Sequence, residues 1–415
     1  MELYEIKDQI EKVILVAVNT EDEKETNASL DELEELIETA GAIPVGRMIQ
    51  NRESVNSGTY IGKGKIEELK EYVAALEATG IVCDDELSPA QLKNLEEQLD
   101  TKVMDRTLII LDIFAKRALT KEGKIQVELA QLRYRSARLV GLRTSLSRLG
   151  GGIGTRGPGE KKLEIDRRLI SDRIAELRRD IEDMERHRDL SRHRRSDNSI
   201  PVISIVGYTN AGKSTLLNRL TDAKILEEDK LFATLDPTTR NYKLPMGQEV
   251  LFTDTVGFIR KLPHHLIDAF RSTLEEAKYA DIIVHVVDAS NPQAETHMQV
   301  VYETLDKLGV GEKPVITIFN KQDKLLKENQ LILKDKRAKN IIKASIKFNK
   351  GLDELVTAIE EILRERSIYL ERIFGYNEAG KIQLIRKYGQ LISEEYVAEG
   401  ILVKANVPNE IYGRL

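Results

Sequence analysis

The chain has 415 residues, among them 63 Lys and Arg, 69 Asp and Glu, one cysteine and no tryptophan. At about 150 residues per domain, this length predicts two to four domains, and a 41% hydrophobic content predicts a globular protein. The single Cys83 excludes an intrachain disulfide and a multi-cysteine zinc site. The N-terminus is acidic and no apolar run approaches the ~18 residues of a membrane span, so we expect a cytoplasmic protein without a membrane span. We also expect a monomer.

The net charge of -6 conceals two opposed regions. Residues 1–100 hold 9 Lys and Arg against 24 Asp and Glu, a net of -15, whereas residues 131–168 hold 10 against 3, a net of +7. The ten cations of the basic stretch are Arg133, Arg135, Arg138, Arg143, Arg148, Arg156, Lys161, Lys162, Arg167 and Arg168. Such a stretch is either an electrostatic footprint for a polyanion or a solvated helix face, and charge alone leaves both interpretations open.

Short apolar runs and amphipathic patterns alternate along the first hundred residues. The predicted strands cover residues 13–18, 42–49 and 81–83, and the predicted helices cover residues 30–39, 66–76 and 89–99. Gly41 closes the first helix, and Ser88 caps the third with Pro89 at its first position. Alternating strands and helices predict a small α/β domain with a parallel sheet.

A long helical pattern follows from about Thr107 to Leu149, with a break near Lys121–Gly123. It stops at the glycine-rich segment Gly150–Glu160 and resumes from about Leu163 to Arg194. The apolar positions of the second part fall on one stripe. We therefore predict an antiparallel helical hairpin with the glycine-rich loop at its tip.

The strongest local motif is GYTNAGKST. It fits the phosphate-binding pattern G-x-x-x-x-G-K-[ST] through Gly207, Gly212, Lys213 and Ser214. The motif lies between an apolar strand and a helical pattern, the context that it requires. The glycines let backbone N–H groups surround the β-phosphate, the lysine supplies a point charge, and the serine hydroxyl is offered to Mg²⁺.

A DxxG motif, residues 254–257, follows the next apolar strand. Asp254 is placed to hold Mg²⁺ through water, and the N–H of Gly257 can sense the γ-phosphate, so this segment should be a switch. The preceding segment LFATLDPTTR must supply a threonine to the metal. We predict Ser214 and Thr234 as metal ligands, with Thr238 and Thr239 as alternatives to Thr234.

The base is specified by Asn320, Lys321 and Asp323 in FNKQD. The carboxylate of Asp323 can accept hydrogen bonds from N1–H and the 2-amino group of guanine, whereas adenine would leave it unpaired, so we expect GTP. ASIKFNKGL should back the guanine through Ser345–Lys347. The predicted nucleotide-binding set is Gly207, Tyr208, Thr209, Asn210, Ala211, Gly212, Lys213, Ser214, Thr215, Phe232, Ala233, Thr234, Leu235, Asp236, Asp254, Thr255, Val256, Gly257, Asn320, Lys321, Gln322, Asp323, Ser345, Ile346 and Lys347.

These patterns predict the α/β class, with a P-loop GTPase domain, an N-terminal α/β domain carrying a long helical hairpin, and a small C-terminal α/β domain. The predicted boundaries are 1–122, 123–197, 198–366 and 367–415 for the N-terminal domain, the hairpin, the GTPase domain and the C-terminal domain.

With these motifs in order, the chain resembles the HflX family of translation-factor-related GTPases, relatives of the Obg group. Beyond the generic GTPase motifs, the segments that carry the resemblance are Thr59–Leu69, Asp84–Glu96, Arg148–Arg168, Asp254–Glu276 and the closing VKANVP. Lys161 and Lys162 stand where the family pattern has a polar Thr-Gln pair. The resemblance implies binding to the large ribosomal subunit and its ribosomal RNA through the Arg133–Arg168 region, and splitting of ribosomes by the GTP-bound protein.

Phe258 occupies the position after DxxG where Ras-like GTPases carry a water-orienting glutamine. An aromatic ring cannot position water, so we expect slow intrinsic hydrolysis. Asn210 resembles the asparagine that helps some relatives to hold K⁺ near the phosphates, and ribosome binding is the other candidate activator. The predicted catalytic residues are Asn210, Lys213, Thr234, Asp254 and Gly257.

Three hypotheses remain open from the sequence. The first is a GTPase that splits or recycles stalled or idle ribosomes. The second is an anti-association or storage factor for which hydrolysis is incidental. In the third, the N-terminal domain binds another nucleotide and acts on RNA structure.

Overall fold

The computed structural model describes residues 10–20, 22–149, 158–196, 200–221, 231–232, 237–263, 266, 276–325 and 333–415. Two compact units divide the chain. The first, the N-terminal unit, comprises Met1–Glu182 with Arg260–Phe270, and the second, the nucleotide unit, comprises Asp183–Ile259 with Arg271–Leu415. No helix in the described ranges is long and apolar enough to cross a membrane.

The N-terminal unit is built on a four-stranded parallel sheet of order β2-β1-β3-β4. Its strands are β1 (Lys12–Asn19), β2 (Ile43–Asn51), β3 (Gly80–Cys83) and β4 (Lys102–Asp105). Helices α1 (Glu23–Ala40), α2 (Lys63–Ala75), α3 (Pro89–Leu99) and α4 (Arg106–Arg117) connect and follow them. The central strand β1 is buried along residues 13–18, as expected for a strand that has a neighbour on each side.

Local signals determine where these helices begin and end. Asp22 accepts a hydrogen bond from the N–H of Lys24 at the start of α1, and Gly41 ends that helix in the left-handed region. Ser88 and Gln91 form a capping box around Pro89.

Two long helices follow, α5 (Lys121–Leu149) and α6 (Pro158–Ser196). They contact each other through Arg173, whose guanidinium donates to both carboxylate oxygens of Glu128. The predicted glycine loop was too long at its C-terminal end, because α6 already begins at Pro158. Proline suits a first helical position, where its missing N–H would have no partner. The rest of that loop, residues 150–157, lies outside the described residues.

The nucleotide unit contains a six-stranded sheet of order β10-β9-β8-β5-β7-β6, parallel except for the β6–β7 pair. The strands are β5 (Val202–Gly207), β6 (Thr238–Lys243), β7 (Glu249–Asp254), β8 (Ile282–Asp288), β9 (Val315–Asn320) and β10 (Ala338–Lys343). Its helices are α7 (Lys213–Thr221), α8 (Glu276–Tyr279), α9 (Ala294–Lys307) and α10 (Leu352–Glu365). Apolar residues of β5, β8 and β9 pack with those of α7 and α10 in one core.

The chain ends in a three-stranded antiparallel sheet of order β11-β13-β12. Its elements are β11 (Ser367–Phe374), α11 (Ala379–Tyr388), β12 (Gln390–Val397), β13 (Gly400–Pro408) and α12 (Asn409–Tyr412). One face of the sheet packs on α11 in a core of its own. The predicted α/β class, with N-terminal, P-loop and C-terminal parts, is confirmed.

Candidate nucleotide site

The phosphate-binding loop joins the carboxyl end of β5 to the first turn of α7. Gly212 lies in this loop with φ 103°, and a Cβ atom there would overlap the side-chain amide of Asn320. Only glycine fits such a position. Because α7 begins at Lys213, directly after the loop, the free N–H groups of the helix terminus and its dipole are available to an anion.

Three further residues shape this loop. Asn210 has φ 57°, a left-handed conformation that asparagine tolerates better than most residues. The ring of Tyr208 stacks on His297 of α9, with centroids 3.7 Å apart and planes 1° from parallel. The hydroxyl of Thr209 is buried and has no hydrogen-bond partner among the described residues, so it is a polar atom that a nucleotide would satisfy.

The ammonium group of Lys213 is buried within the loop. Its Nζ donates to the carbonyl oxygen of Tyr208 at 2.7 Å. Burial lowers the pKa of Lys213 to about 8, and the nearby carboxylate of Asp254 opposes that shift. A cation in so dry a position interacts strongly with a phosphate group.

A hydroxyl and a carboxylate meet beside this lysine. The Oγ of Ser214 donates to Oδ2 of Asp254 at 2.8 Å, and Asp254 is fully buried at the end of β7. These are oxygen donors of the kind that Mg²⁺ prefers. The described residues contain no cluster of three or more His, Cys, Asp or Glu side chains that could hold a metal.

The predicted switch lies directly against the phosphate-binding loop. A Cβ atom on Gly257 would lie 2.8 Å from Cγ2 of Thr209 and 3.1 Å from Nζ of Lys213. The backbone of Phe258 is tied to the same loop, since its oxygen accepts from the N–H of Thr209 at 2.8 Å and its N–H donates to the oxygen of Gly207 at 3.2 Å. The Phe258 ring is buried, so this residue serves as an apolar anchor.

Asn320 connects the guanine motif to the phosphate-binding loop. Its Nδ2 donates to the carbonyl oxygen of Ala211 at 2.9 Å, and its Oδ1 accepts from the N–H of Ile346 at 3.0 Å. Ser345 donates to a carboxylate oxygen of Asp323, and this hydrogen bond lowers the pKa of Asp323. The structure therefore brings together three segments that are far apart in sequence.

Asp288 belongs to the site but was not predicted. Its carboxylate pairs with Nζ of Lys321 at 2.8 Å, and Lys321 has φ 61°. Asp288 ends β8 opposite Asn320 in the β8–β9 register. The rule that ligands bind at the carboxyl ends of parallel strands would have indicated it.

Part of the predicted set lies outside the described residues: Ala233, Thr234, Leu235 and Asp236. Thr234 as a metal ligand therefore stays a prediction. Of the alternatives, Thr238 lies opposite Asp254 in the β6–β7 register, and the hydroxyl of Thr239 shares a hydrogen bond with that of Thr253 at 3.0 Å. Phe232, also in the predicted set, is buried and has φ 55°. The remaining predicted residues, Thr215, Thr255, Val256, Gln322 and Lys347, lie in the segments described above.

Comparison with known proteins identifies the family. The chain matches family profiles described as "GTP-binding GTPase N-terminal" over residues 27–115, "GTP-binding GTPase Middle Region" over 117–195 and "50S ribosome-binding GTPase" over 202–321. It is 67% identical over 414 residues to the GTPase HflX of Lacrimispora saccharolytica, covering 100% of this chain and 97% of that protein. The chain belongs to the HflX family of GTPases.

This HflX GTPase also has more distant relatives. It is 41% identical over 362 residues to the GTPase HflX of Escherichia coli K12, covering 87% of this chain and 85% of that protein. A crystal structure of a GTP-binding protein from the archaeon Sulfolobus solfataricus in complex with GDP is similar at 25% identity and a TM-score of 0.44, over 86% of this chain and 99% of that one. As an HflX GTPase, the protein hydrolyses GTP, and the profile over residues 202–321 is that of ribosome-binding GTPases.

Proposed function

We propose that this GTPase binds the large ribosomal subunit in its GTP-bound form, splits or recycles stalled or idle ribosomes, and releases itself by hydrolysis. The observation that carries the proposal is the family match to ribosome-binding GTPases over the segment that holds the nucleotide site. The protein acts in the cytoplasm as a monomer, and the four domains with boundaries at 122, 197 and 366 are part of the same proposal.

Each site residue has a role in this proposal. The loop from Gly207 to Gly212 and the first turn of α7 hold the β-phosphate through backbone N–H groups. Lys213 exchanges its bond to the Tyr208 oxygen for phosphate oxygens. Asp323 accepts hydrogen bonds from guanine while Ser345 holds its carboxylate in position. Asn320 keeps the base-binding and phosphate-binding segments in register.

The metal would be held by Ser214 and Thr234 directly and by Asp254 through water. When bound, Mg²⁺ neutralises the charge that develops between the β- and γ-phosphates. The 2.8 Å contact between Ser214 and Asp254 keeps both groups oriented toward the same point. Gly257 then offers its N–H to the γ-phosphate from a position that only a residue without Cβ can occupy.

Hydrolysis needs a group other than Phe258 to order the attacking water. Phe258 is buried and fixed to the phosphate-binding loop through its backbone. We therefore place activation with K⁺ held near Asn210, or with the ribosome. Hydrolysis rates in K⁺ and in Na⁺, each with and without large subunits, separate the two. Equal rates in K⁺ and Na⁺ would eliminate the first activator, and equal rates with and without subunits the second.

The ribosome contact is assigned to the basic stretch, residues 131–168, within the hairpin. Arg135, Arg167 and Arg168 are exposed on α5 and α6 and are available to ribosomal phosphates. Arg138 is instead bound inside the N-terminal unit by Asp105. The side chains of Arg143, Arg148, Arg156, Lys161 and Lys162 lie outside the described residues, and their contacts stay a prediction.

Light scattering of ribosomes tests the splitting function. We expect splitting with GTP and with a nonhydrolysable analogue, the analogue supporting one round per protein molecule and GTP supporting many. The alternative is an anti-association factor in which hydrolysis is incidental, and it predicts equal amounts of splitting with both nucleotides. If GDP works as well as GTP, nucleotide switching is not central and both accounts fail.

A matched pair of variants tests the contact. Arg167→Gln with Arg168→Gln should weaken binding to large subunits and reduce the salt dependence of binding by about one phosphate contact per residue. Arg178→Gln with Arg179→Gln changes two exposed arginines on the same helix beyond the basic stretch and should have little effect. Equal losses for both pairs would argue against a defined footprint.

A further inference from the structure

The segment that follows the switch glycine is held by the N-terminal unit. Between Ile259 and Arg260 the chain passes from the nucleotide unit into the N-terminal unit. Arg260 is buried and forms an ion pair with Glu25 of α1. Lys261 has φ 51°, a left-handed conformation that a residue with a Cβ rarely adopts unless its surroundings hold it.

The side chain of Lys261 ends between two carboxylates at the carboxyl end of β3. Its Nζ pairs with Asp84 and lies 2.7 Å from Oδ1 of Asp85. Lys261 and Asp85 are partly exposed, whereas Asp84 is fully buried. The ion pairs of Lys261 with Asp84 and Asp85 are therefore partly accessible to solvent, so they can open and close.

Asp84 remains neutralised when Lys261 leaves it. It accepts hydrogen bonds from the Oγ of Ser29 at 2.7 Å and from the Arg106 guanidinium at 2.9 Å. Burial raises the pKa of Asp84, but the charges of Arg106 and Lys261 outweigh burial and leave that pKa below its usual value. Opening of the Lys261 pair thus strands no bare carboxylate in the interior.

Asp105, at the end of the neighbouring strand β4, connects the Asp84 ion pairs to the hairpin. Asp105 ends β4 directly before Arg106 and lies opposite Cys83 of β3. Its carboxylate accepts hydrogen bonds from Tyr134 at 2.7 Å and from Arg138 at 2.5 Å, both on α5. The Arg138 guanidinium also lies 3.2 Å from the centroid of the Tyr134 ring. From Lys261 to α5 the connection therefore runs through the pairs Lys261–Asp84 and Asp84–Arg106, the peptide link between Arg106 and Asp105, and the pair Asp105–Arg138.

We propose that these pairs, Lys261–Asp84, Asp84–Arg106 and Arg138–Asp105, couple the switch segment to α5, so that the nucleotide bound beside Gly257 sets the stability of the hairpin base. Lys261 and Arg138 are positioning residues at the two ends of this coupling. The inference depends on the proposed function only for its use, since the hairpin is the part assigned to the ribosome.

Hydrogen exchange of the full-length protein, with GDP and with a nonhydrolysable GTP analogue, tests the coupling. In the wild type, amides of residues 121–138 in α5 should differ about fivefold or more in exchange rate between the two nucleotides. Lys261→Met and Arg138→Met should each abolish the difference, while Lys261→Arg, which keeps the charge, should retain it. Lys65→Met, which removes an exposed pair with Glu68 on α2, is the matched control and should leave the difference intact.

Each outcome decides the question. A wild type with no nucleotide-dependent difference in α5, or a Lys261→Met protein that keeps the full difference, would overturn the coupling. A loss in Lys65→Met as large as in Lys261→Met would also overturn it, because the effect would then be a general response to lost charge. Failure to split ribosomes in the light-scattering assay would count against the proposed function but leave the exchange result standing.

Discussion

The four-stranded sheet of the N-terminal unit and the six-stranded sheet of the nucleotide unit differ in the groups that they carry at the carboxyl ends of their parallel strands. In the nucleotide unit, the buried Lys213 bonds to a backbone carbonyl. Of the carboxylates that end β7 and β8, Asp254 accepts from the Ser214 hydroxyl and Asp288 pairs with Lys321. In the N-terminal unit, the corresponding ends carry the buried carboxylates Asp84 and Asp105, which pair with arginine and lysine side chains. The first edge presents a helix N-terminus and a lysine bonded to a carbonyl oxygen, groups that an anion can engage, whereas the carboxylates of the second edge are paired with cations of the same unit.

This difference shows that strand topology alone does not decide where a ligand binds. Ligands of open α/β sheets bind at the carboxyl ends of the strands, but the charge balance there decides whether a given edge receives a ligand or serves as a scaffold. At the ends of β3 and β4, Arg106 and Arg138 are already paired with the carboxylates Asp84 and Asp105, so these cations are engaged and not offered to a phosphate. The arrangement therefore gives no support to a second nucleotide in the N-terminal domain and favours a mechanical role for that edge.

The largest loss of stability is expected when a paired charge is removed from the carboxyl ends of β3 and β4, hereafter the scaffold edge. Arg106→Met takes the buried cation from beside the buried carboxylate of Asp84. Removing one partner of a buried ion pair costs about 3–5 kcal/mol. The loss in free energy of unfolding is measured by urea unfolding and, locally, by hydrogen exchange of the amides in β3 and β4.

Arg47→Met provides the control for this experiment. It removes a pair with Asp31 and Glu34 at the protein surface, and such surface pairs contribute about 0–1 kcal/mol. Similar losses in Arg47→Met and Arg106→Met would mean that the buried network is not special.

The next largest effect is expected at the nucleotide edge. Lys213→Met removes the buried charge that faces the phosphates, and the loss of one such stabilising group costs about 10²–10³-fold in rate. Single-turnover GTP hydrolysis measures it, and the circular dichroism spectrum should be unchanged. Lys307→Met, at the exposed end of α9, is the control. A loss below tenfold in Lys213→Met would contradict the role given to this residue.

The nucleotide edge could be predicted from the sequence in detail, because the residues within each of its motifs are nearly consecutive. The spacing from Gly207 to Ser214 is dictated by the backbone geometry of one turn between a strand and a helix, and any sequence that makes this turn must show it. Asp323 was predicted for a similar reason, since it lies three residues after the strand end. Asp288 could also have been predicted, because it ends β8 and ligands bind at the carboxyl ends of parallel strands.

The scaffold edge could not be predicted, because its partners are far apart in the chain. Lys261 and Asp84 are separated by 177 residues, and the first hundred residues alone offer 24 acidic side chains. No local pattern selects one of them. The sequence also marks Arg106 only as a polar residue at the start of a helix, and its burial depends on the packing of α1 against α4. Arg138 was counted as a candidate for RNA contact, whereas the structure bonds it to Asp105.

A third prediction concerns a buried polar group of the nucleotide unit to which no described residue of opposite charge is bonded. His285 lies within β8, edge-on to the ring of Tyr302 at 5.0 Å, and burial lowers its pKa to about 4. An unfolded histidine has a pKa of about 6.5, so the neutral form stabilises the fold above that pH and the stabilisation is lost as the pH falls toward 4. From pH 7 to pH 5.5, the free energy of unfolding should fall by about 1 kcal/mol through this group.

His285→Phe isolates that contribution. The variant keeps an aromatic ring in the core and should show a smaller loss of stability over the same pH range in thermal or urea unfolding. If wild type and variant have parallel pH profiles, His285 does not titrate as its burial implies. The nucleotide unit would then resemble the scaffold edge in satisfying its buried polar groups.

The smallest effect is expected in the pH dependence of GTP binding. Lys213 has a pKa of about 8, and a bound phosphate raises it because the anion favours the charged form. Binding therefore takes up a proton above pH 8, so affinity is complete below that pH and falls as the pH rises through it. Between pH 8 and pH 9 the dissociation constant should rise about fivefold. Lys213→Arg keeps its charge throughout this range and should show a flat profile, while titration of the nucleotide itself contributes equally to both proteins. A wild-type profile as flat as that of the variant would mean that the lysine is charged before the nucleotide arrives. The contrast between a buried lysine bonded to a carbonyl and buried carboxylates paired with cations would then be weaker than the structure indicates.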